Sequence, residues 1–334
     1  MEPKLRLLFA ALALGSCAAP PLERFEFTEA HMGTEFRLVF YAEGPDVAEP
    51  AARAAFDRVA ALDAALSDYR EDSELSRLGR ASEAGALPAA VEVSADLARV
   101  LALALEVGAA SDGAFDPALG ALTRLWRRSV RQGELPRPAR LEAARAAAGR
   151  QHIELRTRAD AAGAEVVLHA RGLRFDLGGV AKGDALDQAL AALRAHGVER
   201  ALVDGGGDLL AGAPPPDEVG WKVAYAGLGN GRLRLAHAAL ATSGDLYQSV
   251  EIDGVRYSHL IDPRTGLGLT TRVAATVLAP DGARADAWAS ALCVLGPAGL
   301  ARLAAHPGVE ARVARLGADG ATAEERTAGF PPDW

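Results

Sequence analysis

Apolar positions along the chain follow two periodicities in turn, one helical and one alternating, and that succession predicts a mixed fold. Over residues 46–66, Val47, Ala51, Ala54, Ala55, Val59, Leu62 and Leu66 recur at helical spacing. Residues 94–110 repeat the pattern, with Leu97, Leu101 and Leu105 four apart behind Ser94 as N-cap. A first strand is expected ahead of both, over 35–41. Asp112 to Pro117 reads as a loop that presents Asp116, and a helix carrying Leu122, Leu125 and Trp126 follows it. Residues 128–140 are basic and broken by proline; they read as a solvated connection and receive no function.

Beyond residue 160 the strand pattern dominates. A hairpin is expected from 165–169 with 173–177, then a helix over 181–196, then strands at 201–204 and 209–213 bent around Gly205-Gly206-Gly207. Further strands are expected at 221–225, 233–236, 257–261 and 273–278, with helices near 283–294 and 297–305. Strands joined by tight turns make antiparallel pairs. The class is therefore α+β, with mainly antiparallel sheets flanked by helices.

Composition narrows what such a fold can do. At 334 residues, 50% hydrophobic and 24% charged, the chain can bury a large core, as one large domain or two intimate ones. Its net charge of -8 gives no broad basic surface for phosphate backbones, which argues against a nucleic-acid partner. The start is different in kind: Lys4 and Arg6, an apolar run over 7–14, then Gly15-Ser16 and Cys17. That run falls short of the roughly 20 residues a spanning helix needs, so it reads as a bacterial export signal. Leu14-Gly15-Ser16-Cys17 resembles the bacterial lipobox. On that reading 1–16 is a lipoprotein signal peptide, Cys17 is lipidated, 17–24 is a tether and 25–325 is the working domain. An ordinary signal peptide cleaved near Ala18 or Ala19 is the alternative. Lipidation of Cys17 would leave Cys293 alone in an apolar run, where a buried, inert thiol is expected.

Three segments offer chemistry. Asp176-Leu177-Gly178-Gly179-Val180-Ala181-Lys182-Gly183 is a glycine turn entering a helix, where free N–H groups, the helix dipole and Lys182 suit a phosphate or diphosphate. A plain helix start explains the same residues. Asp286 and Ser290, four apart in a predicted helix, put two oxygens on one face, as Mg²⁺ prefers; taken alone, the pair reads by default as capping or solvated. Tyr257 to Gly266 gathers His259, Asp262 and Arg264 around a turn. There His259 could take a proton from a hydroxyl and Asp262 could orient it, unless Asp262-Pro263 only starts a turn.

The serial order of these pieces is more specific than any one of them. Met32-Gly33-Thr34, Ser67-Asp68-Tyr69 with Ser73-Glu74, Gly113 to Pro117, Asp176 to Gly183 with Asp187, Gly205-Gly206-Gly207-Asp208, Thr242-Ser243-Gly244-Asp245, His259 to Gly266, and Asp286 with Ser290 resemble the ApbE family of FAD:protein FMN transferases. The resemblance runs from about Phe25 to about Gly296. It implies two intimately packed subdomains with FAD in the cleft between them. The implied reaction is Mg²⁺-dependent transfer of FMN from FAD to a Thr or Ser hydroxyl of an acceptor flavoprotein, with AMP leaving. By similarity, Asp286, Ser290 and a backbone carbonyl near Gly179 hold the metal, and His259 is the catalytic residue. Asp176 and Lys182 lie against FAD, while Met32, Tyr69, Ala114, Phe115, Asp116 and Leu260 line the flavin or adenine pocket. The protein would face the periplasm, held at the cell envelope by its lipid. Hydrolysis of FAD to FMN and AMP at the same site, or flavin binding without catalysis, are the competing readings. Four positions depart from the pattern: Ser290 and Ala118 where Thr is more usual, Asp184 where an aromatic is common, and Gly79 where Asn is frequent. Asp184 sets an extra negative charge near the expected diphosphate.

Overall fold

The computed structural model describes residues 21–157, 163–245, 248–317 and 319–333. The signal peptide over 1–16 and the lipidation candidate Cys17 lie outside the described residues. Among those described, no helix is long and apolar enough to cross a membrane.

The first element is a long hairpin, β1 (Glu23–His31) against β2 (Thr34–Ala42), with Glu23 opposite Ala42 and His31 opposite Thr34. On β2, Phe36, Leu38 and Phe40 are fully buried on one side and Val39 is buried on the other, the mark of an inner strand covered on both faces. Helix α1 (Pro45–Leu66) lays a stripe of Ala48, Ala51, Ala55, Phe56, Val59 and Leu62 into the core. Helix α2 (Glu74–Ala81) and β3 (Ala89–Ser94) follow, and Ser94 caps α3 (Ala95–Ala110) by accepting from the Leu97 N–H, as its sequence position predicts. Next come α4 (Gly120–Gln132), α5 (Pro138–Ala146), β4 (Ile153–Thr157), β5 (Gly163–Leu168) and α6 (Ala181–Ala195).

The rest is mostly strand. β6 (Ala201–Gly205) and β7 (Asp208–Ala211) form a hairpin, as do β8 (Trp221–Tyr225) and β9 (Gly231–Leu235). After β10 (Ala238–Gly244) come two small hairpins, β11 (Ser249–Ile252) with β12 (Val255–Ser258) and β13 (Ile261–Asp262) with β14 (Leu267–Gly268). β15 (Val273–Ala279), α7 (Gly282–Leu295), β16 (Glu310–Leu316) and β17 (Thr322–Arg326) complete the fold.

Eight strands form the main sheet in the order β1-β2-β6-β7-β10-β15-β16-β17, every neighbouring pair antiparallel. A second sheet, β3-β5-β4, is also antiparallel. The two share one continuous core: Val93, Val166 and Leu168 of the small sheet belong to the same buried cluster as Phe36, Leu38, Leu62, Leu101 and Trp288. Each such fully buried side chain contributes roughly 1.5–3 kcal/mol, so the halves are tied by many of these terms rather than by a linker. The other face of the main sheet is covered by the β8–β9 hairpin, through Trp221, Val223 and Leu233 against Val39, Leu202 and Leu240. The α+β class with mainly antiparallel sheets is the one the sequence predicts.

Several local expectations differ from the structure. Residues 173–177 make no strand; the Asp176 N–H donates to the Pro117 carbonyl (2.9 Å) and the Gly120 N–H to the Arg174 carbonyl (3.0 Å), so this segment clips onto the loop before α4. β5 pairs instead with β3 and β4. Residues 128–140 contain the end of α4 and the start of α5, where Pro138 sits in the first turn and its missing N–H is not needed. The strand expected over 257–261 is broken, leaving His259 and Leu260 between β12 and β13. Residues 297–305 wind as a 3₁₀ helix.

Candidate active site

The site begins where two helices touch. α6 and α7 approach so closely at Gly183 and Gly282 that a Cβ on Gly183 would lie 2.1 Å from the Gly282 carbonyl oxygen. The start of α7 is fixed twice. Asp281 accepts from the Arg284 N–H at 2.8 Å, and Asp187 of α6 accepts from the N–H groups of Gly282 (2.7 Å) and Ala283 (3.0 Å). This clamp sets the rotation of α7, so that Asp286 and Ser290, one turn apart, both face a cavity of about 780 Å³.

Lys182, in the first turn of α6, reaches into the same cavity. Its ammonium contacts Asp208 and lies 3.5 Å from Asp286, while the Gly183 N–H donates to Asp286 at 3.2 Å. Asp208 is held in turn by the Thr242 N–H at 3.2 Å. Burial works against the Lys182 charge, but the facing carboxylates of Asp286 and Asp208 outweigh it and hold the ammonium protonated. Burial also lifts Asp286 above the usual carboxylate range, against the pull of Lys182. One ammonium against two carboxylates leaves room for further positive charge.

The donor set fits a hard cation. Among the described residues no group of three or more His, Cys, Asp or Glu side chains is arranged to hold a metal. Mg²⁺, however, needs only one or two protein oxygens when waters and substrate phosphate complete its shell. Asp286 and Ser290 offer such a pair, and Ser243 Oγ lies 3.3 Å from Ser290 Oγ. Gly179 packs against them: a Cβ there would meet Ser290 Oγ at 2.8 Å and the Phe115 ring at 3.1 Å, so only glycine lets the backbone come this near.

The same cavity is also lined by an exposed aromatic and the residues around it. Tyr69, 76% exposed, carries the Arg127 guanidinium 4.2 Å over its ring, and Arg127 also bonds Asp68 and lies 3.7 Å from Asp176. Asp176 accepts from the Gly178 N–H at 2.9 Å, which shapes the glycine turn. Asp116 is buried and accepts from the N–H groups of Ala118 and Arg150, each at 2.8 Å; burial raises its carboxyl above the ordinary range. Its oxygens hold the 112–118 loop in shape, and Ala114 and Phe115 reach the cavity from that loop.

His259 stands at the mouth. Its Nδ1 lies 3.2 Å from the Gln248 carbonyl oxygen, which fixes the proton on Nδ1 and leaves the Nε2 lone pair free. Although the side chain is exposed, desolvation by its surroundings lowers its basicity, against the Gln248 carbonyl and the Asp245 charge, which favours the neutral ring. Behind it the Trp126 indole donates to the Ser258 carbonyl at 3.0 Å and meets Tyr257 edge-on at 5.4 Å. Asp262, expected to orient His259, is instead bound by Arg264 at 2.8–2.9 Å. The β13–β14 turn brings that guanidinium to it and turns the carboxylate away from the imidazole.

Tyr69, Ala114, Phe115, Asp116, Asp176, Gly179, Lys182, His259, Leu260, Asp286 and Ser290 thus line one cavity. Met32 does not: it sits at the β1–β2 turn with a φ of 51°, packed in part against the main core. Asp184 also departs from expectation. Two residues along a helix is about 200° of rotation, so it points away from Lys182 and accepts from Arg99 Nε and Nη2, each at 2.8 Å. Gly79 is buried in α2 and Ala118 is fully buried, both off the cavity wall. Sequence reasoning gave no role to Asp208, Ser243, Trp126 or Arg127. Asp208 follows Gly205-Gly206-Gly207 and Ser243 precedes Gly244-Asp245, and those turn signals were the available clue. Cys293 is buried and donates to the Ser243 carbonyl at 3.3 Å; burial pushes its thiol up to about 12, which makes it inert.

Comparison with known proteins bears on this geometry. The model of the ApbE family matches residues 32–313. The FAD:protein FMN transferase of Treponema pallidum (strain Nichols) is 33% identical over 324 residues, covering 89% of this chain and 86% of the relative. The FAD:protein FMN transferase of Salmonella typhimurium is 34% identical over 242 residues, covering 69% and 67%. Two solved structures share the fold. The apo form of Pseudomonas stutzeri flavinyl transferase ApbE superposes with a TM-score of 0.80 at 29% identity, over 92% of this chain and 95% of its own. Flavin transferase ApbE from Vibrio cholerae gives 0.81 at 28% identity, over 94% and 100%.

Proposed function

The chain belongs to the ApbE family, and from that premise we propose that it transfers FMN from FAD to a Thr or Ser hydroxyl of an acceptor flavoprotein, with AMP as leaving group. The observation that carries this is the single cavity with two unlike walls: Lys182, Asp286 and Ser290 on one, and a neutral His259 on the segment between β12 and β13 on the other. Splitting a diphosphate asks for neutralised charge and in-line placement more than covalent help, and those are what the first wall supplies. Asp286 and Ser290 would hold Mg²⁺, which when bound supplies positive charge to the phosphate oxygens of FAD. Lys182 adds a second positive group. Tyr69 and Phe115 offer flat apolar surface to a ring system.

His259 Nε2 accepts the proton of the acceptor hydroxyl as its oxygen attacks the FMN phosphorus. The new O–P bond forms as the bond from that phosphorus to the bridging oxygen breaks, and the electron pair departs with AMP. In-line transfer requires the attacking and leaving oxygens on opposite sides of the phosphorus. The Nδ1 contact with Gln248 keeps the accepting nitrogen aimed into the cavity.

The test mixes the full chain in detergent with FAD, Mg²⁺ and a candidate exported acceptor, then reads flavin fluorescence on a denaturing gel. A covalent fluorescent acceptor band is expected. Free FMN and AMP without that band would make the protein an FAD diphosphatase, and intact FAD would make it a flavin-binding protein. Asp286→Ala is expected to abolish turnover, and full activity in that variant with Mg²⁺ would remove Asp286 from the site. A lipid on Cys17 would hold the enzyme at the cell envelope facing the periplasm; Cys17→Ala should then release it from membranes, and loss of radiolabelled palmitate from the chain would report the change.

A further inference from the structure

Residues 124–150 hold eight arginines against two glutamates, in a chain whose net charge is -8. Many arginines of this protein are neutralised by a neighbouring carboxylate, as Arg58 is by Asp96, Arg99 by Asp184 and Arg256 by Asp245. The side chains of Arg131, Arg137, Arg140 and Arg145 are exposed and have no hydrogen-bond or ion-pair partner among the described residues. Their place in the fold is specific. Arg131 and its neighbour Val130 line the cavity that holds His259. At the other end, α5 packs under the turn that follows His259: a Cβ on Gly266 would lie 2.8 Å from Leu141 and 3.6 Å from Arg145. The free charges therefore run from the cavity wall to the turn of the β13–β14 hairpin that follows His259. Val130 and Leu135, 37% and 38% exposed, add apolar surface to the same rim.

FAD does not account for this charge, because Arg137, Arg140 and Arg145 lie outside the cavity wall. His259 and Arg131 line the same cavity, so a protein that brings a hydroxyl to His259 comes up against this rim. A membrane pressed on this face would close the entrance. We propose that the cationic rim formed by Arg131, Arg137, Arg140 and Arg145 is the docking surface for an acidic segment of the acceptor protein, beside the hydroxyl that receives FMN. The inference rests on the transferase reading for the identity of its partner. Unpaired arginines on a rim raise encounter rates and choose partners by charge, and they act through association more than through chemistry.

The probes are a rhodamine-labelled peptide of about 20 residues with one Thr flanked by Asp and Glu, and its Asn/Gln counterpart. Binding to the full chain with FAD and Mg²⁺ is followed by fluorescence anisotropy. The acidic peptide should bind at least about tenfold more tightly at low salt and lose that advantage near 0.5 M salt. Arg137→Glu/Arg140→Glu/Arg145→Glu should abolish the preference with FAD affinity unchanged, and the corresponding triple Lys variant should keep it. Equal binding of the two peptides, or a preference that survives the triple Glu variant, overturns the proposal. So does a triple Glu variant that loses binding to phosphatidylglycerol vesicles yet treats the peptides as before, which would make the face a membrane contact. Acidic-peptide binding as expected, with no covalent flavin formed on any acceptor, would instead refute the transferase reading and leave the surface standing.

Discussion

Lys182→Met takes an ammonium out of the space between two carboxylates that are 8% and 4% exposed, those of Asp208 and Asp286. At 3.5 Å from Asp286 and an effective dielectric constant of about 20, the lost attraction to that partner is roughly 5 kcal/mol before solvation is counted. Removing one member of a buried pair typically costs about 3–5 kcal/mol net, so urea unfolding without divalent ions should show a loss in that range. The substitution also removes the positive charge that competes with a cation for these carboxylates. If Asp286 and Ser290 hold a divalent cation, the variant should bind it more tightly than the parent, and millimolar Mg²⁺ should restore more stability to the variant than it adds to the parent. Tryptophan fluorescence is a suitable monitor, since Trp288 lies fully buried on α7 between the two ligands. FAD turnover should stay low even with Mg²⁺, because the second positive group is gone. Equal stabilisation of parent and variant by Mg²⁺ would refute the placement of the cation, and a variant within about 1 kcal/mol of the parent would refute the reading of the charge cluster.

Three further outcomes follow from the same geometry. His259→Ala should keep FAD affinity and lower transfer by roughly 10²–10⁴-fold, and in the parent the transfer rate should rise with pH, because desolvation depresses the His259 pKa and only the neutral ring accepts a proton. The midpoint should fall below 6.5; a rising limb centred above pH 7 would exclude His259 as the base. Asp187 is raised by burial from 3.8 to about 7, so between those values the folded state keeps a proton the unfolded state has lost, and stability should fall as pH rises, by at most about 1.4 kcal/mol per unit. Asp187→Asn should flatten that slope in urea titrations at pH 4 to 7, and an unchanged slope would assign it elsewhere. Gly179→Ala drives a methyl to 2.8 Å from Ser290 Oγ, and overpacking of about 1–3 kcal/mol should appear as weaker Mg²⁺ and FAD binding by calorimetry, with unaltered affinities counting against the close contact.

Helix periodicity and caps were legible because they are local. Ser94, Leu97 and Leu101 announce α3, and the alternation over residues 35–41 announces β2, without reference to any partner. Pairing was not legible, since residues 173–177 have a strand's pattern but find their hydrogen bonds in the loop at 117–120. Proline misled at residues 128–140, where Pro138 starts a helix instead of preventing one. β1 escaped notice because its outer face is polar and only every second residue is partly covered, as befits an edge strand.

For the site, type and serial order gave the residues, and geometry decided what each one touches. Asp262 is three residues from His259 and was the natural candidate to orient it, yet a carboxylate goes to the nearest cation it can reach, and Arg264 sits in its own turn. The backbone oxygen of Gln248 does the orienting, and no side-chain pattern can announce a carbonyl. Asp184 and Lys182 show the same principle from the other side: two apart in sequence, they face opposite ways on α6, so the carboxylate that meets Lys182 is that of Asp208, 26 residues away. The glycine crossing of α6 and α7 then holds Lys182 and Asp286 close to each other, while His259 is carried by the segment between β12 and β13. The charged wall and the proton acceptor thus come from different segments of the chain. The distance between them is the variable that a bound flavin nucleotide and an incoming hydroxyl must satisfy at once.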